Sequence, residues 1–192
     1  LDSSGLVASV AVVENDTLLA EYTVNYKKTH SQTLLPMLDE ISNMTELDLS
    51  TIDAIAVAGG PGSFTGLRIG SATAKGLGLA LEKPLISIPT TAAIAYNIWD
   101  TDKFVCPIMD ARRNQVYTGV YCYTDHRLDT VWEQDTMSIE ALAEGLNCLD
   151  HEVIFLGDGV AVYREKLEAL LTIPFSFAPA HVNRQRAAAV GA

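Results

Sequence analysis

The chain has 192 residues, 48% hydrophobic and 19% charged, with 24 acidic residues against 13 Lys and Arg for a net charge of −11. Such a length and composition describe a globular chain with a sizeable core and exclude a disordered or collagen-like one. The half up to Thr101 has 5 basic and 11 acidic residues and the remainder 8 and 13, so neither half offers the basic stripe that displaces counterions from nucleic-acid phosphates.

Leu6 to Val13 and Thr17 to Tyr26 are β-rich runs joined by Glu14-Asn15-Asp16, a hairpin signal. Ser31 to Met44 follows the helix period, with apolar residues at 34, 35, 38 and 41. Asp53 to Ala58 reads as a short buried strand, and Gly59-Gly60-Pro61-Gly62 as a turn into a helix ending near Leu81. A strand at Leu85 to Ile88 and a helix at Thr90 to Trp99 complete this half. The second half repeats the order, opening with strands at Phe104 to Met109, Gln115 to Tyr123 and Leu128 to Trp132. A helix (Ser138 to Leu146), a strand (Val153 to Leu156), a Gly157-Asp158-Gly159 turn and a helix (Val160 to Leu171) follow. Pro174 to Phe177 is a last short strand, and a terminal helix starts near Asn183.

Each half therefore reads β-β-β-α-β-α-β-α if the first strand ends at Leu1-Asp2, as Met109-Asp110 ends its counterpart. On that alignment several residues of the first strand precede Leu1. The expected architecture is two α/β lobes, 1–101 and 102–192, each a mixed sheet covered by helices.

The helix after the glycine turn carries Gly66, Gly70, Ala74 and Gly78 every four residues, on one face. Each glycine costs about 1 kcal/mol against alanine inside a helix, a penalty that marks close approach of another backbone. The stripe is either internal packing or, the reading favoured here, a docking face for a partner helix. Leu34, Leu35, Leu38 and Ile41, with Met37 and Met44, make the preceding helix apolar over more than one sheet-facing stripe, which suggests burial on two sides.

No metal site is expected: His30, His126, His151 and His181 are isolated, and neither HExxH nor HxxxH occurs. The glycine run lacks the GK[ST] of a P-loop, and Ser63 or Thr65 suits the helix N-cap. Asp2 and Asp110 end duplicated strands, where carboxylates can hold a Mg-nucleotide but also form turns. Cys106, Cys122 and Cys148 show no CxxC spacing and read as reduced thiols. No apolar run reaches the roughly 18 residues of a membrane helix and no leader pattern opens the segment, so a cytoplasmic location is expected.

The run from Gly60 to Gly70 (Gly-Pro-Gly-Ser-Phe-Thr-Gly-Leu-Arg-Ile-Gly) resembles the signature of the bacterial TsaB (YeaZ) family. So do Leu1-Asp2-Ser3-Ser4, the stretch from His30 to Pro36, and Asp110-Ala111-Arg112-Arg113 with Val116-Tyr117. The resemblance implies duplicated RNase H-like lobes of the actin/Hsp70/sugar-kinase (ASKHA) superfamily and a role in making threonylcarbamoyladenosine in tRNA. It implies a non-catalytic subunit beside a TsaD-type paralogue, which carries the metal and the transferase site, and a TsaE-type ATPase. It further implies a homodimer in isolation, with contacts to itself or to TsaD through the two helices of the first lobe. Leu34, Leu35, Leu38, Ile41, Gly66, Gly70, Ala74 and Gly78 are the interface residues on this reading.

Residues Arg112 and Arg113 stand where a working kinase of the superfamily would carry glycine. No catalytic residue, and no cofactor bound by the chain itself, is expected. Gly157-Asp158-Gly159 resembles the superfamily's adenosine turn. Weak ATP or ADP binding through Asp2, Ser3, Asp110, Gly157 and Gly159, with a weak ATPase or phosphotransferase activity, is therefore the alternative.

Overall fold

The structure is a computed structural model that describes residues 1–26 and 30–192. It divides into two compact units, Leu1–Ala93 with Gln185–Ala192, and Ile94–Arg184. The expected division at Thr101 is thus moved to Ala93/Ile94, and the last eight residues return to the first unit.

In the first unit β1 (Ala8–Glu14) pairs antiparallel with β2 (Thr17–Val24), turning at Asn15, whose left-handed φ of 52° an asparagine tolerates well. Then come α1 (Leu34–Thr45), β3 (Ile55–Gly60), α2 (Phe64–Leu81) and β4 (Leu85–Pro89), with β3 and β4 parallel. Leu1 and Asp2 lie between β1 and β3, Asp2 forming an isolated antiparallel bridge to Ser9. Leu34, Met37, Leu38 and Ile41 of α1 pack with Leu1, Val10, Ile55, Val57 and Ala74 as one core. A short helix, α3 (Thr90–Ala95), continues the chain into the second unit; the sequence pattern had carried it on to Trp99.

The second unit holds β5 (Phe104–Arg112), β6 (Gln115–Thr124), β7 (Arg127–Ser138), α4 (Ile139–Leu149), β8 (Val153–Leu156), α5 (Gly159–Leu170) and β9 (Phe175–Phe177). Its five strands run in the order β7-β6-β5-β8-β9. The central strand β5 pairs antiparallel with β6 and parallel with β8. Ser138 caps α4 by accepting from Ala141 N at 3.1 Å, and Ile139, Leu142, Ala143 and Leu146 bury the apolar face of that helix. Of these, Ile139, Leu142 and Leu146 meet Cys106, Ile108, Val116, Phe155 and Leu167 in a second, larger core.

The segment returning to the first unit ends in α6 (Ala187–Gly191), shorter than the terminal helix expected from Asn183. It is tied to the sheet by side chains: Ala187 N donates to Ser9 Oγ at 2.8 Å and Ala188 N to Glu21 Oε1 at 3.0 Å. The Arg186 guanidinium pairs with the nearly buried Glu21.

Candidate functional site

The glycine-rich run shared with the resembled family is the junction of β3 and α2. Ser63 is the N-cap, its Oγ accepting from Gly66 N at 3.2 Å. Ser63 N donates to Ser4 O at 2.6 Å, and Ser3 Oγ donates to Gly66 O at 2.8 Å. The start of α2 therefore lies on the Ser3-Ser4 backbone. A Cβ on Gly62 would collide with Ser4 O and one on Gly66 with Ser3 O, while one on Gly70 would meet Ser3 Oγ at 2.5 Å. Farther along, a Cβ on Gly78 would stand 2.9 Å from Leu85 Cδ2.

The small-residue stripe is thus turned inward. Gly66, Gly70, Ala74 and Gly78 are all buried against the chain's own loop and strands, which corrects the expectation that they form a docking face. The close backbone that their small size serves is that of Ser3 and Ser4. The same correction applies to Leu34, Leu38 and Ile41 of α1, which belong to the first core. Of the eight expected interface residues only Leu35 is open, at 52% exposure.

The opposite sides of these two neighbouring helices are the accessible ones. On α1, Met44 is 79% exposed, next to the exposed Asp39, Glu40 and Asn43. On α2, Phe64 is 69% and Leu79 83% exposed. Arg68, Ala72, Lys75 and Gly76 share that side, and Gly76 has no atom within 4 Å of a Cβ position. The Arg68 guanidinium lies over the Phe64 ring, 3.8 Å from its centroid. Large apolar side chains flanked by acids on one helix and bases on the other have the chemistry of a partner contact. Sequence periodicity singled out these two helices, but the residues it favoured, Leu35 aside, face inward.

Residues considered for nucleotide binding fall into two sets. In the first unit, Asp2 Oδ1 accepts from Ser4 N at 2.8 Å and Ser4 Oγ at 2.7 Å, and Asp2 and Ser3 are buried. Burial pushes the Asp2 carboxyl above its ordinary value, outweighing the Ser4 bonds that favour the charged form. His30 places Nε2 2.8 Å from Gly5 O. In the second unit, Gly157 and Gly159 press on the Ile108 carbonyl, Gly157 with a left-handed φ of 101°. Asp110 N donates to Asp158 Oδ1 at 3.2 Å, and Tyr163 OH donates to Asp110 Oδ1 at 3.1 Å.

Tyr163 was not singled out from sequence, and Asp158 was read only as the middle residue of the Gly157-Asp158-Gly159 turn. Burial raises the Asp158 carboxyl as well. Beyond Asp110 the chain turns through Arg112, Arg113 and Asn114, all left-handed. Asn114 is held by Glu140, at 2.6 Å from Oε2, and by Lys166. Two carboxylates, Asp110 and Glu140, thus border the turn a phosphate would have to enter. Among the described residues no group of three or more His, Cys, Asp or Glu side chains is placed to hold a metal ion, and no helix is long and apolar enough to cross a membrane.

A family model described as TsaD, tRNA N6-adenosine threonylcarbamoyltransferase, matches residues 17–191. The tRNA threonylcarbamoyladenosine biosynthesis protein TsaB of Bacillus subtilis (strain 168) is 34% identical over 171 residues, covering 89% of this chain and 75% of the relative. Its Escherichia coli (strain K12) namesake is 31% identical over 165 residues, covering 83% and 70%. YeaZ from Pseudomonas aeruginosa superposes with a TM-score of 0.81 at 25% identity, over 96% of this chain and 84% of that one. An inorganic polyphosphate/ATP-glucomannokinase from Arthrobacter sp. strain KM shares the fold alone, with a TM-score of 0.52 at 15% identity over 98% and 92%.

Proposed function

The chain belongs to the TsaB family of ASKHA-fold proteins, and from that membership we propose that it serves threonylcarbamoyladenosine synthesis in tRNA as a non-catalytic subunit. Its partner on this reading is a TsaD-type transferase, with a TsaE-type ATPase joining the pair. Alone, the chain pairs with a second copy through the same surface.

One observation carries the reading: the outer sides of α1 and α2 leave Leu35, Met44, Phe64 and Leu79 exposed among the described residues. Exposed acids on α1 and bases on α2 are complementary in sign, as a two-fold contact or a related paralogue would require. The −11 net charge supports leaving tRNA to the partner. The buried, internally bonded Asp2 and Ser3 support a role without phosphoryl chemistry.

Light scattering on a sizing column, with the chain alone and mixed with a TsaD homologue, tests the proposal. A one-to-one complex that is weakened by Leu79→Asp, and that restores threonylcarbamoyl transfer to the homologue, is the expected result. A complex unaffected by both Leu79→Asp and Phe64→Asp places the contact elsewhere. Absence of any complex removes the subunit reading.

A further inference from the structure

The β6–β7 hairpin closes on a two-residue loop, Asp125 and His126, since Thr124 pairs with Arg127. Both loop residues are left-handed, with φ of 50° and 62°, as a tight turn between twisted strands requires. That register fixes the direction of His126. Its Nδ1 donates to Asp100 Oδ2 at 2.7 Å, so the hairpin tip is fastened to the segment that follows α3.

The same segment gathers three aromatic rings beside that carboxylate. Trp99 meets Tyr96 at a centroid distance of 5.4 Å and Tyr123 of β6 at 5.5 Å, both edge-to-face. Tyr123 is the inner member, its hydroxyl buried. Burial pushes this phenol up to about 12, and the nearby Tyr96 and Asp100 push the same way. Trp99 is the outer member, 56% exposed. A large ring already held by its neighbours gives up little freedom on meeting a ligand.

Charge decides which ligand suits it. Asp100, Asp102, Asp125 and Asp129 are exposed on these two segments, against Arg127 and a Lys103 already paired with Glu152. Asp100 Oδ2 is engaged by His126, and no described residue bonds Oδ1. Elsewhere the chain sets its own guanidiniums over rings, Arg68 on Phe64 at 3.8 Å and Arg164 on Phe177 at 3.9 Å. Among the described residues no cation lies over Trp99, although indole holds a cation better than either phenyl ring. A nucleobase would stack there too, but its phosphates would meet the aspartates. An ammonium group matches the charge without the plane, whereas a guanidinium stacks flat and still directs N–H groups to a carboxylate.

We propose that Trp99 and Asp100 form a docking site for an arginine side chain of a basic partner polypeptide, the guanidinium stacked on the indole and donating to Asp100 Oδ1. The site is built wholly from the second unit and does not depend on the outer sides of α1 and α2.

The test titrates the full chain with acetyl-Arg-Gly-Arg-Gly-Arg-amide, and with the same peptide carrying uncharged citrulline for each arginine. The chain has two tryptophans, so Trp132, packed on Gly145, serves as the reference for the Trp99 indole N–H signal. Expected are a saturable shift of the Trp99 signal with Trp132 unmoved, and binding of the citrulline peptide weaker by about tenfold or more in fluorescence anisotropy. Trp99→Ala, which keeps every charge, and Asp100→Asn should each weaken the arginine peptide by about fivefold or more. Both should retain the remaining amide spectrum, and Trp99→Tyr should recover part of the loss. No shift at Trp99, equal affinity for the citrulline peptide, or binding undiminished in both variants overturns the proposal. So does a Trp99 signal that moves more with a pentaadenylate than with the arginine peptide.

Discussion

The first turn of α2 rests on the carbonyl of Ser3 through Gly66, whose own carbonyl accepts from Ser3 Oγ at 2.8 Å. Helix and loop are in contact through backbone and one hydroxyl, with no room for a methyl group between them.

Replacing that hydrogen by a methyl group should therefore be costly although alanine is the better helix former. Gly66→Ala should destabilise the first unit by about 2–3 kcal/mol, the upper range for overpacking a well-filled site. Gly76→Ala, on the open side of the same helix with no atom within 4 Å, should stabilise by about 0.5–1 kcal/mol. Urea melts of the two variants should move in opposite directions; equal shifts would show that α2 does not face inward as described.

The outer face of α2 gives the complementary prediction. Leu79→Asp and Phe64→Asp alter exposed side chains, so each should change stability by no more than about 0.5 kcal/mol. Both should nevertheless weaken self-association or partner binding at least tenfold, measured by sedimentation equilibrium. Gly70→Leu, against Ser3 and Val57, should instead reduce the yield of folded chain.

Burial of Asp2 sets a pH dependence with a definite sign. Its folded carboxyl is raised above the ordinary 3.8, so the folded state holds the proton more tightly than the unfolded one. The associated stability is fully present below 3.8 and is lost as pH rises through the raised folded value. Asp2→Asn keeps an oxygen for Ser4 and removes the charge, so it should flatten this decline and be neutral or stabilising at pH 7. A large loss of stability at pH 7 in that variant would mean that the charged carboxylate is itself required.

The tie between Arg186 and Glu21 should matter more than the other ion pairs. Glu21 is only 10% exposed and also accepts from Ala188 N. Arg186→Ala leaves that carboxylate poorly compensated and should cost about 1–3 kcal/mol, below the fully buried range because the arginine is partly exposed. Lys103→Ala, which breaks the more exposed pair with Glu152, should cost under about 1 kcal/mol. Thermal denaturation of both variants orders them; a reversed order would refute the ranking.

Most of the elements were legible because their signals are local. Alternation placed β1, β2 and β6, the apolar period placed α1 and α4, and of the two cap candidates Ser63 and Thr65 the structure uses Ser63. β7 extends to Ser138 rather than stopping at Trp132, since its later residues are polar and are held by pairing with β6, which no local pattern encodes. The return of Gln185 to Ala192 to the first unit was equally hidden. It depends on Ser9 and Glu21, more than 160 residues away along the chain.

The sequence by itself determined the duplicated α/β plan, the glycine turn, the family and the two helices with unusual small-residue and apolar patterns. Tertiary structure alone decided which way those helices face. Small residues every four positions mark a line of close approach, and that spacing is the same whether the approaching backbone is a partner's or the chain's own. Here the Ser3-Ser4 loop takes that line, because a helix following its strand through so tight a turn must cross the loop beside it. The large apolar residues 64 and 79 are left to the other side.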